Sequence, residues 1–243
     1  MGLEGTGRIV EAKGENLQAM VGKRVCFVQA GSGSWGEFAL AEIVFEIDED
    51  VTLTSASSGI VNPLTVIGMT HTYEHTPFKK GIIHTGAASA LGRMLNKRCQ
   101  TLGIPLLNIV RREEQAELLK KEGAKHVIIT KGDWQEGYKA AIKEHGFNVF
   151  FDALGGGEVL EALIDGLGPK SFVHVYGLLE GKPLVIKQAI SLCRGVTITG
   201  FLLFNWYVTI SEEDKNKIKA EYSSLLKGDL STICHKKITF SQI

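Results

Sequence analysis

The sequence predicts an α/β fold in which a doubly wound parallel sheet is covered by helices on both faces. Three observations predict it. Six short apolar runs recur from Ile82 onward, at residues 82–85, 106–110, 126–130, 148–153, 171–177 and 196–204. They are continuous rather than alternating, as strands buried on both faces are. Helical patterns separate them, which is the signature of crossover connections between parallel strands. A loop of small residues leaves the first of these strands and opens the first helix, the position at which such folds meet phosphates.

The helices read in order. Leu91, Met94, Leu95, Cys99 and Leu102 keep 3.6-residue spacing and stop at Gly103. Residues 113–122 stop at Gly123, and residues 159–167 stop at Gly168-Pro169. The first 47 residues have another texture. "GRIVEAK", "GKRVCFVQ" and "WGEFALAEIVFEI" are β-type runs between glycine-rich turns, with no convincing helix, and predict hairpins. A helix is expected from Asn62, which suits the N-cap, with Pro63 in the first helical position and Leu64, Ile67, Gly68 and His71 at core spacing before Pro77 ends it.

At 243 residues the chain has room for one large domain, or for one domain and part of another. Apolar residues make up 44% and charged residues 22%, ordinary for a chain that buries a core. Lys+Arg and Asp+Glu balance at 27 each, so there is no basic face for nucleic acid. No apolar run is long enough to span a bilayer and "MGLEGTGRIV" lacks signal-peptide organisation, so no membrane partner is expected. The single, scattered cysteines predict free thiols in a reducing compartment. The expected location is the cytoplasm, or an organelle if a targeting segment precedes Met1.

The stretch His71-x-x-Glu74-His75 matches H-x-x-E-H, a metal-peptidase pattern. Core spacing of the surrounding helix accounts for the same residues, and nothing marks a third ligand, so no metal is expected.

The loop Gly86-Ala87-Ala88-Ser89-Ala90-Leu91-Gly92 offers backbone N–H groups and a helix N-terminus to a dinucleotide pyrophosphate. Ser89 stands where the middle glycine of G-x-x-G-x-x-G would be, and Gly92 would let the helix pack tightly on the strands. The second strand ends in Arg111-Arg112, with no acidic residue to take the ribose hydroxyls. Two guanidiniums suit a 2′-phosphate, which favours NADP(H) over NAD(H). Two plainer readings stand beside this one: a tight turn without ligand, and arginines that cover solvent at a helix start.

Taken together, "GLEGTGRIVEAKG", "GKRVCFV", "GSWGEFAL", "VNPLTVIGM", "HTGAASALG", "EGAKHVI", "FFDALGG" and "VHVYG" resemble, in order, the medium-chain dehydrogenase/reductase superfamily. The resemblance is to its zinc-independent, quinone oxidoreductase-like and alkenal-enoyl reductase branch. It implies a partial GroES-like β-rich domain over residues 1–60 and a Rossmann-type NADP-binding domain over 61–205. Residues 206–243 would form a C-terminal helix and the return toward the β-rich domain. Zinc-dependent members read G-H-E-G where this chain has Leu3 before Glu4 and Gly5, and leucine cannot ligate. The cysteine-rich lobe is replaced by "CFVQAGSGSWGEF". The resemblance also implies opening strands before Met1 and a longer C-terminus.

The implied activity is NADPH-dependent hydride transfer, without zinc, to a small quinone or α,β-unsaturated carbonyl. A non-catalytic NADP(H)-binding relative with a sensing role is the alternative. The resemblance places Asn62 and Thr65 near the nicotinamide, Tyr176 and Gly177 on the opposite side of that pocket, and Thr130 toward the adenosine or phosphate side. Asn62 is equally explained as a helix cap and Tyr176 as packing, and His174 reads as structural. No general acid is identifiable. "FLLFNW", residues 201–206, is expected to extend the sixth strand and to pair with its copy in a homodimer, unless the helix at 212–227 covers that edge.

Overall fold

A computed structural model of the chain describes residues 1–243 except 30, 32, 42, 233, 235, 240, 241 and 243, and at 15 and 16 the backbone alone. The chain divides into two compact units, one of residues 1–65 and 209–243, the other of residues 66–208. Among the described residues no helix is long and apolar enough to cross a membrane.

In the first unit, β1 (Glu4–Arg8), β2 (Arg24–Val28) and β3 (Ile43–Glu46) pair antiparallel in that order. This small sheet fits the GroES-like part. Three short helical segments attend it: α1 (Glu15–Gln18), α2 (Leu53–Ala56) and the start of α3 (Val61–His75). α1 is a single turn, too short to leave a periodic apolar stripe, which is why the first 47 residues read as helix-free.

The onset of α3 departs from expectation. The helix begins at Val61, and its first amides are capped from a distance. Glu4 Oε2 accepts from Ile60 N at 2.9 Å and Val61 N at 2.8 Å. Asn62 is therefore a first-turn residue and not the cap, because a carboxylate 56 residues upstream already satisfies the donors a local cap would take.

The second unit holds the parallel sheet. Its strands are β4 (Ile82–His84), β5 (Leu106–Val110), β6 (His126–Ile129), β7 (Val149–Asp152), β8 (Phe172–Val175) and β9 (Thr197–Gly200). They pair in the order β6-β5-β4-β7-β8-β9, every pairing parallel. The crossovers are α4 (Ala90–Leu102), α5 (Glu113–Lys121), α6 (Trp134–His145), α7 (Glu158–Asp165) and α8 (Gln188–Arg194). β4, β5 and β7 are buried along their whole length, which explains their continuous apolar character. Ile83, Phe150, Leu160, Leu163 and Val173 form the centre of one core layer. From β4 the chain winds outward through β5 and β6, then crosses back to β7 and winds the other way. The carboxyl ends of β4 and β7 thus mark the point where connections diverge, the ligand crevice of open α/β sheets.

The sixth strand is shorter than expected. β9 ends at Gly200, and α9 (Leu203–Thr209) takes up the residues expected to continue it. A short apolar run carries no decisive period, and here Leu203 and Tyr207, four apart, face inward. Phe201 instead packs edge-on against Phe151, with ring centroids 5.8 Å apart. The last helix, α10 (Glu212–Lys227), belongs to the first unit, where Tyr222 stacks on Phe45 at 4.3 Å and donates its hydroxyl to Gly59 O.

Candidate functional site

At the carboxyl ends of β4, β5 and β6 lies a cavity of about 340 Å³. Gly86, Ala87, Ala88 and Ser89 form one wall, and Ile109, Val110, Arg111, Gln115 and Thr130 the facing one. Leu154, Val159, Leu179 and Glu180 close it from the side of β7 and β8.

The loop is shaped by two glycines. Gly86 takes φ 65°, a left-handed conformation that side chains disfavour. A Cβ on Gly92 would lie 2.3 Å from Ala87 O, so only glycine lets α4 start this close to the loop. The close packing is thus against the loop's own backbone rather than the strands. Ser89 is the N-cap of α4, its Oγ accepting from Gly92 N at 3.1 Å. Ala90 and Leu91 are the first helical residues, and their N–H groups have no acceptor within the helix. The helix start therefore presents free donors and a positive dipole end next to the cavity.

β5 delivers Arg111 to the cavity wall, whereas Arg112 is exposed at the start of α5 and does not line it. The turn between them is held by Gln115, whose Oε1 accepts from Arg111 N at 3.1 Å and Arg112 N at 3.2 Å. Thr130 donates both its N–H and its hydroxyl to Val110 O, at 2.8 and 3.2 Å. Glu180 is the one carboxylate among the described lining residues.

Beneath the loop, Asp152 is fully buried at the end of β7. Its carboxylate accepts from Thr85 Oγ1 and from Gly155 N, each at 2.7 Å. Burial pushes the carboxyl above its ordinary range, an effect that these hydrogen bonds oppose. Its backbone oxygen accepts from Tyr176 N and Gly177 N. Tyr176 and Gly177 therefore stand beside the carboxyl end of β7, outside the lining of this cavity, and the Tyr176 hydroxyl lies 2.8 Å from His84 Nε2. Asn62 and Thr65 lie in the early part of α3, Thr65 buried and Asn62 half-buried, in the unit of residues 1–65 and 209–243.

The site also contains residues that the sequence reading missed. Gln115 has a local signal, a glutamine three positions after the last residue of a loop, as in a capping box. Asp152 has one as well, a lone acid ending the apolar run before two glycines in "FFDALGG". Thr85, Leu154, Val159, Leu179 and Glu180 carry no local mark.

The residues of the H-x-x-E-H match are engaged elsewhere. His75 Nδ1 lies 2.8 Å from His71 O, Glu74 pairs with Lys79 at 2.8 Å, and His71 Nδ1 lies 3.3 Å from Trp206 Nε1. Among the described residues no group of three or more His, Cys, Asp or Glu side chains is arranged to hold a metal.

The donor set fits a dinucleotide phosphate. The loop has no side chain bulk at Gly86, the helix start supplies N–H groups, the neighbouring walls are apolar, and a guanidinium stands where the second strand ends.

Comparisons with known proteins point the same way. The family model described as "Zinc-binding dehydrogenase" matches residues 90–218. The mitochondrial enoyl-[acyl-carrier-protein] reductase of Caenorhabditis elegans is 28% identical over 239 residues, covering 93% of this chain and 67% of its own length. Across the curated relatives in this group, the chain spans 53–67% of their length. Among solved structures, a Mesorhizobium loti protein assigned as an NADPH:quinone reductase superposes with a TM-score of 0.85 at 29% identity, over 93% of this chain and 67% of that one. A mitochondrial 2-enoyl thioester reductase heterodimer from Candida tropicalis gives 0.78 at 21% identity, over 98% and 71%, a likeness of fold alone. The chain belongs to the zinc-binding dehydrogenase family, within the zinc-independent quinone and enoyl reductase branch of the medium-chain dehydrogenase/reductase superfamily.

Proposed function

We propose that this chain is the NADP(H)-binding part of a reductase acting on quinones or on α,β-unsaturated carbonyls such as enoyl thioesters. The carrying observation is one cavity that joins a glycine-shaped helix start to Arg111, with no carboxylate at the end of β5. When bound, the cofactor supplies the hydride. The chain's own residues then have separate tasks. Amides of the 86–91 loop receive the pyrophosphate, Arg111 receives the 2′-phosphate, and Thr130 and the apolar walls receive the adenosine. Asp152 and Thr85 hold the loop in place from below. The resemblance assigns the nicotinamide end to Asn62, Thr65, Tyr176 and Gly177, and Arg112, next to Arg111 in the chain, adds a supporting charge.

The enzyme relatives support this reading by name: an enoyl-[acyl-carrier-protein] reductase and an assigned NADPH:quinone reductase. Incubation with NADPH and either menadione or crotonyl-CoA tests it, with loss of NADPH absorbance as the expected result. Tight NADPH binding without oxidation of NADPH by either acceptor would favour the non-catalytic alternative.

The open edge of β9 favours a homodimer, which light scattering of the purified chain would show as twice the monomer mass. The four free cysteines suit a reducing compartment, the cytoplasm or the organelle named for the mitochondrial relatives.

A further inference from the structure

A second cavity, of about 590 Å³, opens where β4, β7 and β8 begin, at the edge of the sheet opposite the cofactor cavity. Its floor is apolar, formed by buried Ile142, Phe147 and Leu167. Its rim carries Lys80, Lys139, Lys143 and Lys170, and no acidic residue is among the described lining residues. Lys139 has a carboxylate neighbour, Glu136 at 3.4 Å, whereas Lys80, Lys143 and Lys170 form no ion pair among the described residues. A chain of zero formal net charge thus gathers four cations around one concave site.

The rim is also held in an unusual conformation. Phe78 (φ 59°) and Lys170 (φ 58°) are the two non-glycine residues with left-handed backbone among those described. Both line this cavity, and Lys170 Nζ lies 5.0 Å from the Phe78 ring centroid. Such conformations persist where surrounding contacts enforce them. At Phe78 the contact is with Asn148, buried, whose Nδ2 donates to Phe78 O and whose Oδ1 accepts from Lys80 N, each at 2.9 Å, and at Lys170 it is the N–H donated to Arg194 O at 2.8 Å. Phe78 is 68% exposed at the mouth.

The plainer account is that lysines favour a helix C-terminus, and Lys143 does sit in the last turn of α6. That account leaves Lys80 and Lys170, which arrive from other segments, and it leaves the apolar floor beneath them. We propose that this cavity binds a small organic anion. Its carboxylate, phosphate or sulfonate head lies among Lys80, Lys143 and Lys170, and its flat apolar body lies between Phe78 and the floor. Because the two cavities sit at opposite strand ends, the anion and the cofactor bind together.

Titration of the full chain with anilinonaphthalenesulfonate at low salt, with and without saturating NADPH, tests the proposal. The expected result is saturable one-to-one binding that NADPH leaves in place. It weakens about tenfold in K143E/K170E, since charge-assisted contacts are the strong ones, and added salt weakens it further. If circular dichroism shows that variant unfolded, K143Q/K170Q replaces it, with the same direction expected. Binding that NADPH abolishes, that never saturates, or that a folded lysine variant leaves unchanged overturns the proposal. The lysine variants decide the matter even for a chain that fails to bind NADPH, so this test and that of the cofactor site fail separately.

Discussion

Thr85 Oγ1 donates to Asp152 Oδ1 across 2.7 Å while accepting from Ala153 N at 2.8 Å, so one buried hydroxyl ties the carboxyl end of β4 to that of β7. These are the two strands from which the chain winds in opposite directions, and Gly86 follows Thr85 directly. Thr85→Val keeps the shape and leaves a buried carboxylate oxygen and an amide short of a partner. The expected loss of stability is about 2–3 kcal/mol, read as an earlier midpoint in urea unfolding. A midpoint equal to that of the parent chain would show that the pair does not hold the loop.

Arg111 lines the cavity and Arg112 does not. Arg111→Ala should therefore weaken NADPH binding about 10- to 100-fold, the scale of a charge-assisted contact. NADH affinity should barely move, and Arg112→Ala should have the smaller effect. Isothermal titration with both cofactors checks this; equal losses for NADPH and NADH would remove the 2′-phosphate from Arg111.

Gly92→Ala places a methyl group 2.3 Å from Ala87 O, and neither backbone segment can yield cheaply. Either α4 shifts or the loop does, and NADPH affinity should fall at least about tenfold, as a misplaced anion cradle loses its aligned donors. Ser89→Glu acts through charge instead: a carboxylate at the cap repels the pyrophosphate and should abolish binding. Retained affinity in Ser89→Glu would place the phosphates elsewhere.

His84 is fully buried, and burial holds its imidazole down to about 3, against an ordinary 6.5. The fold keeps it neutral, whereas the unfolded chain protonates below 6.5. Its contribution is complete above pH 6.5 and is lost as pH falls from there toward 3, at about 1.4 kcal/mol per unit. His174, held down to about 4 by burial, adds in the same direction. Denaturant unfolding at about pH 7 and about pH 5 should show the loss, reduced in His84→Gln. A slope that His84→Gln leaves untouched would assign the acid lability to other groups.

The parallel sheet was legible because β4, β5 and β7 are buried on both faces, and burial writes itself as unbroken apolar runs such as "VFF". The failures arose where a distant partner or a short run decides the outcome. Glu4 caps α3 across 56 residues, a contact no local pattern encodes, and so Asn62 looked like the cap. Residues 201–206 are apolar enough for strand or helix, and the inward packing of Leu203 and Tyr207 selects helix. In the candidate site, the Gly86–Gly92 loop and Arg111 announce themselves by residue type. Gln115 and Thr85 act through a single side-chain oxygen each, and only folding shows which amide or hydroxyl that oxygen meets.

The most direct test of the account is a calorimetric titration of the purified chain with NADPH and NADP+. The account predicts saturable binding at one site per chain, tighter than for NADH and lost in Ser89→Glu. No heat of binding with either redox form, from a chain shown to be folded, would contradict it.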